Sequence, residues 1–368
     1  NDHLYEARVV GAQLPLIYDF IAEYLKQGST VHSLVVKGQC AFDFDNAQAV
    51  FRLYARLAIE HGIIDCNWPV LEMASLTHNV LALEDPAERS RLLEYVTHKD
   101  TPHQDSLKKV VAQFDRPGAI WPESFQYSGG VAELTTYIVA LLLRQDPPVT
   151  LPDHFVRIPL SLARLHEFRF PNGDNICFGD GPRRSREDFR SYEVAYSIGL
   201  REANTELQQT FGARINLGFE QGKYERSARD AYHLSAHPYF EPLQLLWFES
   251  EVSGQMSAPP IRTTDELPFV GAVLQRNLSP DQNPSHGLMA AVHGGHHVHG
   301  HASGMALELY GCGEVLGACA GKGTYKTDEH ENYRRIFAAY NNVIVNGASR
   351  SAGGWVNLEI DTVEKIAL

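Results

Sequence analysis

Along the first two-thirds of the chain, apolar residues return every three or four positions. Leu14, Ile17, Ile21, Tyr24 and Leu25 form one such stripe, and Val50, Phe51, Tyr54, Leu57 and Ala58 form another. Each spacing predicts a helix with one buried face. Val131, Leu134, Ile138, Leu141 and Leu142 form a third stripe, closed by Asp146-Pro147-Pro148, because proline lacks the helical N–H and clashes with the preceding turn. Helices that each need a partner for one apolar face, joined by short polar connections, predict stacked helical hairpins.

Beyond about residue 255 the period changes. Ser257-Ala258-Pro259-Pro260 reads as an extended linker, since paired prolines disfavour helix on both sides. Met305, Leu307 and Leu309 then alternate with Ala306, Glu308 and Tyr310, and Val356, Leu358 and Ile360 alternate with Asn357, Glu359 and Asp361. Period two is the signature of strands. Glycine turns at Gly311-Cys312-Gly313, Gly321-Lys322-Gly323 and Gly353-Gly354 separate them, as an antiparallel sheet requires. The chain therefore reads as an α+β multidomain protein, helical over 1–255 and an antiparallel sheet over 256–368. It stops at Leu368 inside a strand pattern and reads as part of a longer protein.

Composition narrows the function. The 368 residues are 44% apolar and 21% charged, enough for a sizeable core and unlike a disordered chain. Lys and Arg total 32 against 45 Asp and Glu, a formal charge of −13 without a basic block. This excludes general nucleic-acid binding. No run of apolar residues is long enough for a membrane span, and the first residues lack the pattern of a signal peptide. Five cysteines (Cys40, Cys66, Cys177, Cys312, Cys319) show no CxxC pair and read as buried free thiols.

The densest chemistry lies in His293-Gly-Gly-His296-His297-Val-His299-Gly-His301, which carries five histidines in nine residues. On an extended segment His297, His299 and His301 share one side, and imidazole serves as base, acid or metal ligand near neutral pH. Interleaved glycines let the backbone pass close to a ligand, although a surface histidine turn has the same composition. A second candidate is Tyr127 in Trp121-Pro-Glu123-Ser-Phe-Gln-Tyr127-Ser128, just before a helix expected to begin near Val131. Ser128 stands there as a possible cap, and nearby backbone N–H groups favour a phenolate. A packing tyrosine is the plainer alternative. The third is Asn67, ahead of Trp68-Pro69, with Glu72 further along the same helix. Asn67 reads as a helix cap or as a carboxylate contact, and Glu72 as a solvated acid or, if buried, a proton-sharing one.

These pieces stand in a recognisable order. His296 to Tyr310, the turn Gly321-Lys-Gly-Thr-Tyr325, Tyr333-Arg-Arg335 and Ala339-Tyr-Asn-Asn-Val-Ile-Val-Asn-Gly347 resemble the heparinase II/III-like group of polysaccharide lyases, which includes heparin and heparan lyases and exolytic oligoalginate lyases. Asn67-Trp68 and Glu123-Ser-Phe-Gln-Tyr127 resemble two motifs of its helical part. The resemblance implies an incomplete (α/α) toroid followed by an antiparallel β-sandwich, truncated in this chain, with a cleft between them. It also implies β-elimination at a uronic acid, which needs a carboxylate neutraliser, a base for the C5 proton and an acid for the leaving O4. Tyr127 matches the family's catalytic tyrosine, His299 its cleft histidine and Asn67 its carboxylate contact. Glu72, His297, Glu123 and Arg334 are expected to contact substrate.

Many members hold a structural zinc ion with the second His of His-x-His, an Asp in the Gly-Thr-Tyr turn and a His in the following strand. Here His301 remains, but Gly321 and Tyr340 stand at the other two positions. No cofactor is therefore expected, although His293, His296 or His330 could replace a lost ligand without support from the spacing, and Tyr340 is expected to fill the lost imidazole's space and hydrogen-bond His301. The expected partner is an acidic polysaccharide, heparin or heparan sulfate-like or alginate, met in the periplasm or outside the cell. Arg183-Arg184-Ser-Arg186, Arg276, Arg334 and Arg335 are the candidate cations for it. Two other functions stay open. A glycoside hydrolase would need a carboxylate pair, available among Asp65, Glu72, Glu123, Asp174 and Asp180. A catalytically silent carbohydrate-binding protein would keep the cleft.

Overall fold

The computed structural model describes residues 10–114, 120–177, 179–185, 187–227, 242–254, 264–267, 272–279, 283–293, 299, 301, 303, 306–344 and 346–347. The expected linker at 257–260, the strand pattern at 356–361, and His296 and His297 lie outside them. The chain forms two compact units: Asn1–Val111 with Tyr137–Phe155 and Arg226–Phe248, and Ala112–Thr136 with Val156–Glu225 and Glu249–Leu368.

The helices run in chain order as α1 (Gly11–Lys26), α2 (Phe44–His61), α3 (Trp68–Leu81), α4 (Pro86–Thr97), α5 (Leu107–Phe114), α6 (Phe125–Leu142), α7 (Arg157–His166), α8 (Phe189–Arg201) and α9 (Thr205–Glu220). A small hairpin, β1 (Thr30–Ser33) and β2 (Gly38–Ala41), separates α1 from α2. Side-chain caps begin several helices. Asp43 accepts from the Asn46 N–H at 2.9 Å, Asp188 from the Arg190 N–H at 3.1 Å and Asn204 from the Leu207 N–H at 2.9 Å, satisfying donors that the helix itself leaves open. Helices α8 and α9 form a tight hairpin: a Cβ on Gly199 would stand 2.8 Å from the Leu207 Cβ, so only glycine permits the approach.

The stripe in α6 packs as its spacing predicts, with Val131, Leu134, Ile138 and Leu142 buried. In α2, Phe51 and Ala58 are buried and Val50, Tyr54 and Leu57 only partly so. The stripe in α1 is a correction. Leu25 is buried, but Ile17 is 53% exposed and Tyr24 63%, and Leu14 and Ile21 are exposed as well. The buried face is Gly11, Ala12, Pro15, Tyr18, Ala22 and Leu25. The reason is polar. From α3, His78 Nδ1–H donates to the Ala12 carbonyl at 2.9 Å and Asn79 Nδ2 to the Gly11 carbonyl at 2.6 Å, and buried donors of that kind must reach their acceptors. Small residues allow the two helices to close to that distance.

The sheet is a five-stranded antiparallel meander, β3 (Thr264–Leu267), β4 (Ala272–Asn277), β5 (Leu288–His293), β6 (Ala306–Gly311) and β7 (Glu314–Gly317). Cys312 and Gly313, both at positive φ, turn β6 into β7 where the glycine turn was expected. Ala272, Leu274, Met289, Ala291 and Tyr310 on one sheet face pack with Ile120, Phe168, Phe170 and Ile176 in one core. The alternation in β6 is real but opposite in sense to its hydrophobicity: Ala306, Glu308 and Tyr310 are buried and Leu309 is exposed. Glu308 tolerates this because its carboxylate takes the Arg183 guanidinium and the backbone N–H groups of Cys177 and Cys319, each at 2.8 Å. The cysteines are free thiols, of which only Cys177 and Cys319 are buried; burial pushes both thiols up to about 12.

Candidate active site

The site is built within the second unit. Helix α6 begins at Phe125, earlier than expected, so Tyr127 lies in its first turn. Ser128 does not cap this helix. Its Oγ donates to the carbonyls of Trp121 (2.6 Å) and Glu123 (3.1 Å), bracing the segment ahead of the helix. Ser124 Oγ donates to the Asp180 carbonyl, and the Asp180 N–H donates to the His299 carbonyl at 2.8 Å. The motif around Tyr127, the Gly179-Asp180-Gly181 turn and the histidine segment are thereby tied together by backbone acceptors.

On this frame the His299 ring lies flat on the Tyr127 ring, centroids 3.4 Å apart and planes within 6°. His299 Nδ1 bonds to the buried Glu123 carboxylate, whose other oxygen accepts from Trp121 Nε1 at 2.8 Å. A carboxylate only accepts, so Nδ1 carries a proton, and in the neutral ring Nε2 presents a lone pair. Among the described residues Nε2 has no partner. Tyr127 Oη lies 2.8 Å from Tyr325 Oη, and Tyr325 donates to Asp180 Oδ2 at 2.6 Å. Burial and the Asp180 carboxylate together push the Tyr325 phenol well above its ordinary pKa, so Tyr325 stays protonated at neutral pH.

Asp180 is the hub beneath this pair. His301 Nε2 lies 2.8 Å from its Oδ1, and Tyr340 bonds to His301 Nδ1, the contact expected of a tyrosine in place of an imidazole. Burial opposes the charge on Asp180, but the bonds from His301 and Tyr325 outweigh it and hold its pKa below the ordinary carboxylate value. His330, fully buried, brings Nε2 to 3.8 Å from Asp180 Oδ1.

Asp180, His301 and His330 thus offer metal-ligand atoms all within 4.8 Å of one another, a set absent from the family pattern. The Gly323 N–H donates to His330 Nδ1 at 3.3 Å, so Nε2 of the neutral ring carries a hydrogen and no lone pair. As they stand, Asp180 is a hydrogen-bonded carboxylate, and the buried His330 Nε2 has no hydrogen-bond partner among the described residues.

Asn67 precedes α3 without capping it; its Oδ1 takes the Cys66 thiol at 3.5 Å. Glu72 is 2% exposed inside α3. Both belong to the first unit. Arg334, expected on the substrate, instead donates to the carbonyls of Ala320 and Lys322 and to Glu329, so it holds the turn that carries Tyr325. His293 is 1% exposed at the end of β5, and burial drives its pKa down to about 3. Asp180 and Tyr325 were legible as motif residues, but their pairing was not, because they stand 145 positions apart.

Residues 117–260 match the family model described as the second domain of endo-acting ulvan lyase. An endo-acting ulvan lyase of Formosa agariphila is 30% identical over 371 residues, covering 96% of this chain and 45% of the relative. Two structures of heparinase III superpose with TM-scores of 0.51 and 0.52 at 14% and 11% identity. Each covers 83% of this chain, which spans 40% and 42% of those chains. A helix-rich chain with an antiparallel sheet region, carrying these motifs in this order, is of the heparinase-like fold. The chain is thus similar in sequence to an endo-acting ulvan lyase and shares its fold with heparinase III. It spans less than half the length of the relatives it matches.

Proposed function

We propose that the protein is a polysaccharide lyase that cleaves a uronate-containing polymer by β-elimination, and that the polymer is ulvan, the substrate in the names of the matching family and relative. Heparin, heparan sulfate and alginate are the second choice, resting on motif resemblance and fold. The observation that carries the reading is the stack of Tyr127 on His299, with Nδ1 fixed by Glu123 and Nε2 left as a lone pair. His299 Nε2 is the base for the C5 proton. Tyr127, protonated and hydrogen-bonded to Tyr325, is the acid for the leaving O4. The resemblance assigns Asn67 to the carboxylate whose charge grows as the enolate forms. No step calls for a cofactor.

This reading takes the helical hairpins as part of an incomplete (α/α) toroid and the five-stranded sheet as part of a β-sandwich, divided near residues 255 and 256. A polymeric substrate puts the enzyme outside the cytoplasm, and among the described residues no helix is long and apolar enough to cross a membrane.

The test is incubation with purified ulvan, following the near-ultraviolet absorbance of the conjugated unsaturated uronate. Absorbance that rises with new reducing ends supports elimination. Reducing ends without absorbance point to a hydrolase, and binding without either points to a carbohydrate-binding protein.

A further inference from the structure

The cations expected to meet an acidic polymer are already neutralised wherever the structure describes them. Arg183 pairs with Glu308, Arg276 with Asp265, Arg334 with Glu329, Arg335 with Glu331 at 3.1 Å and Arg184 with Asp174 at 3.1 Å. Lys322 differs. Its Nζ stands 4.6 Å from the centroid of the Tyr325 ring, and Tyr325 Oη touches Tyr127 Oη at 2.8 Å. Among the described residues it makes no ion pair.

The backbone that presents Lys322 is firmly held. Gly321 takes φ +67°, and Arg334 donates to the carbonyls on either side of it, Ala320 and Lys322. A Cβ on Gly323 would come within 2.7 Å of Arg334 Cδ, so guanidinium stem and turn are in close contact. An ammonium resting on a ring face is shielded from water on that side and keeps donors for an anion on the other. In a chain of net charge −13 an approaching polyanion is repelled overall, so one unpaired cation beside the reacting hydroxyls has a large share in placing it.

We propose that Lys322 is a specificity-determining residue that binds an anionic oxygen group of the substrate, a carboxylate or a sulfate ester, beside the Tyr127–Tyr325 pair. This rests on the lyase reading of the same site. The experiment compares wild type, Lys322→Gln, Lys322→Arg and Lys326→Gln, the last an exposed lysine four residues on. Affinity for ulvan is measured by calorimetry in a Tyr127→Phe background, and KM and kcat in the active background.

Lys322→Gln should raise Kd and KM about tenfold with kcat changed less than about twofold, the loss of one charge-assisted contact. Lys322→Arg should recover most of the affinity, Lys326→Gln should match wild type, and thermal melts of all four should superimpose. Unchanged affinity in Lys322→Gln, or an equal loss in Lys326→Gln, overturns the proposal. If wild type binds ulvan without forming unsaturated product while Lys322→Gln binds more weakly, the lyase reading fails and the Lys322 site stands. A penalty on uronate oligosaccharides without sulfate identifies the group as the carboxylate; a penalty seen only on sulfated ones identifies the sulfate ester.

Discussion

Replacing Glu123 by Gln changes one atom and reverses one hydrogen bond. The Glu123 side chain is 4% exposed, with one oxygen on Trp121 Nε1 at 2.8 Å and the other on His299 Nδ1. An indole N–H only donates, so Gln keeps its carbonyl oxygen there and turns its amide N–H groups toward His299. Nδ1 must then accept, and the imidazole proton moves to Nε2, where the lone pair for the C5 proton had been. Restoring the working tautomer would set two N–H groups against each other in a buried place, at a cost of about 1–3 kcal/mol, or about 5- to 150-fold in rate. The variant also loses the carboxylate that stabilises the imidazolium formed as Nε2 takes the proton. Together these predict a fall in kcat of roughly 10²–10⁴-fold, the range seen when a catalytic histidine loses its base role or tautomer. The assay is the initial rate of absorbance increase at saturating polymer, with KM and the melting temperature close to wild type because shape and volume are kept. A variant retaining more than about a tenth of wild-type kcat would refute the assignment of His299 as a base oriented by Glu123.

Tyr127→Phe should lower kcat by at least about 100-fold while leaving binding nearly intact, since it removes the transferable proton and little volume; appreciable turnover would exclude Tyr127 as the acid. His299→Ala should lower kcat similarly without unfolding, whereas His293→Ala, which empties a fully buried position, should lower the melting temperature and spare kcat per folded molecule. Burial pulls the Asp265 carboxyl up, but the bonds from Arg164 and Arg276 outweigh it and hold its pKa below the ordinary value. The stability it adds is therefore complete above the unfolded pKa of about 3.9 and is lost as pH falls through the lower folded value. In urea denaturation Asp265→Asn should flatten that acid limb, and an unchanged limb would remove Asp265 as its source. Metal analysis of untagged protein should find well under one zinc per chain, with no change in melting temperature on chelation. Stoichiometric zinc that disappears in His330→Ala would show that the Asp180 cluster is a metal centre after all.

Local physics was legible where local residues decide it. The helix of Val131, Leu134, Ile138 and Leu142, the Cys312-Gly313 turn and the alternation of β6 all follow from spacing and glycine placement. The motifs of Tyr127 and His299 were equally visible, because the chemistry of a phenol beside an imidazole is carried by residue type. Even the bond between Tyr340 and His301 followed from which side chain replaced which.

What hydrophobicity alone could not choose was which face goes inward. In α1 two buried polar side chains of α3 selected the glycine and alanine face and left Ile17 and Tyr24 in solvent. In β6 the Arg183 guanidinium made a buried Glu308 favourable over an exposed one. Both outcomes turn on partners 66 to 125 residues away. The same holds for the site. Residue types declared an acid, a base and several carboxylates, but tertiary structure alone decided that Glu123 holds His299, that Asp180 holds Tyr325, and that the expected arginines spend their charge on neighbours while Lys322 keeps its own. A hydrogen bond works only within a few tenths of an ångström, and distances of that size are set where distant segments of the chain meet.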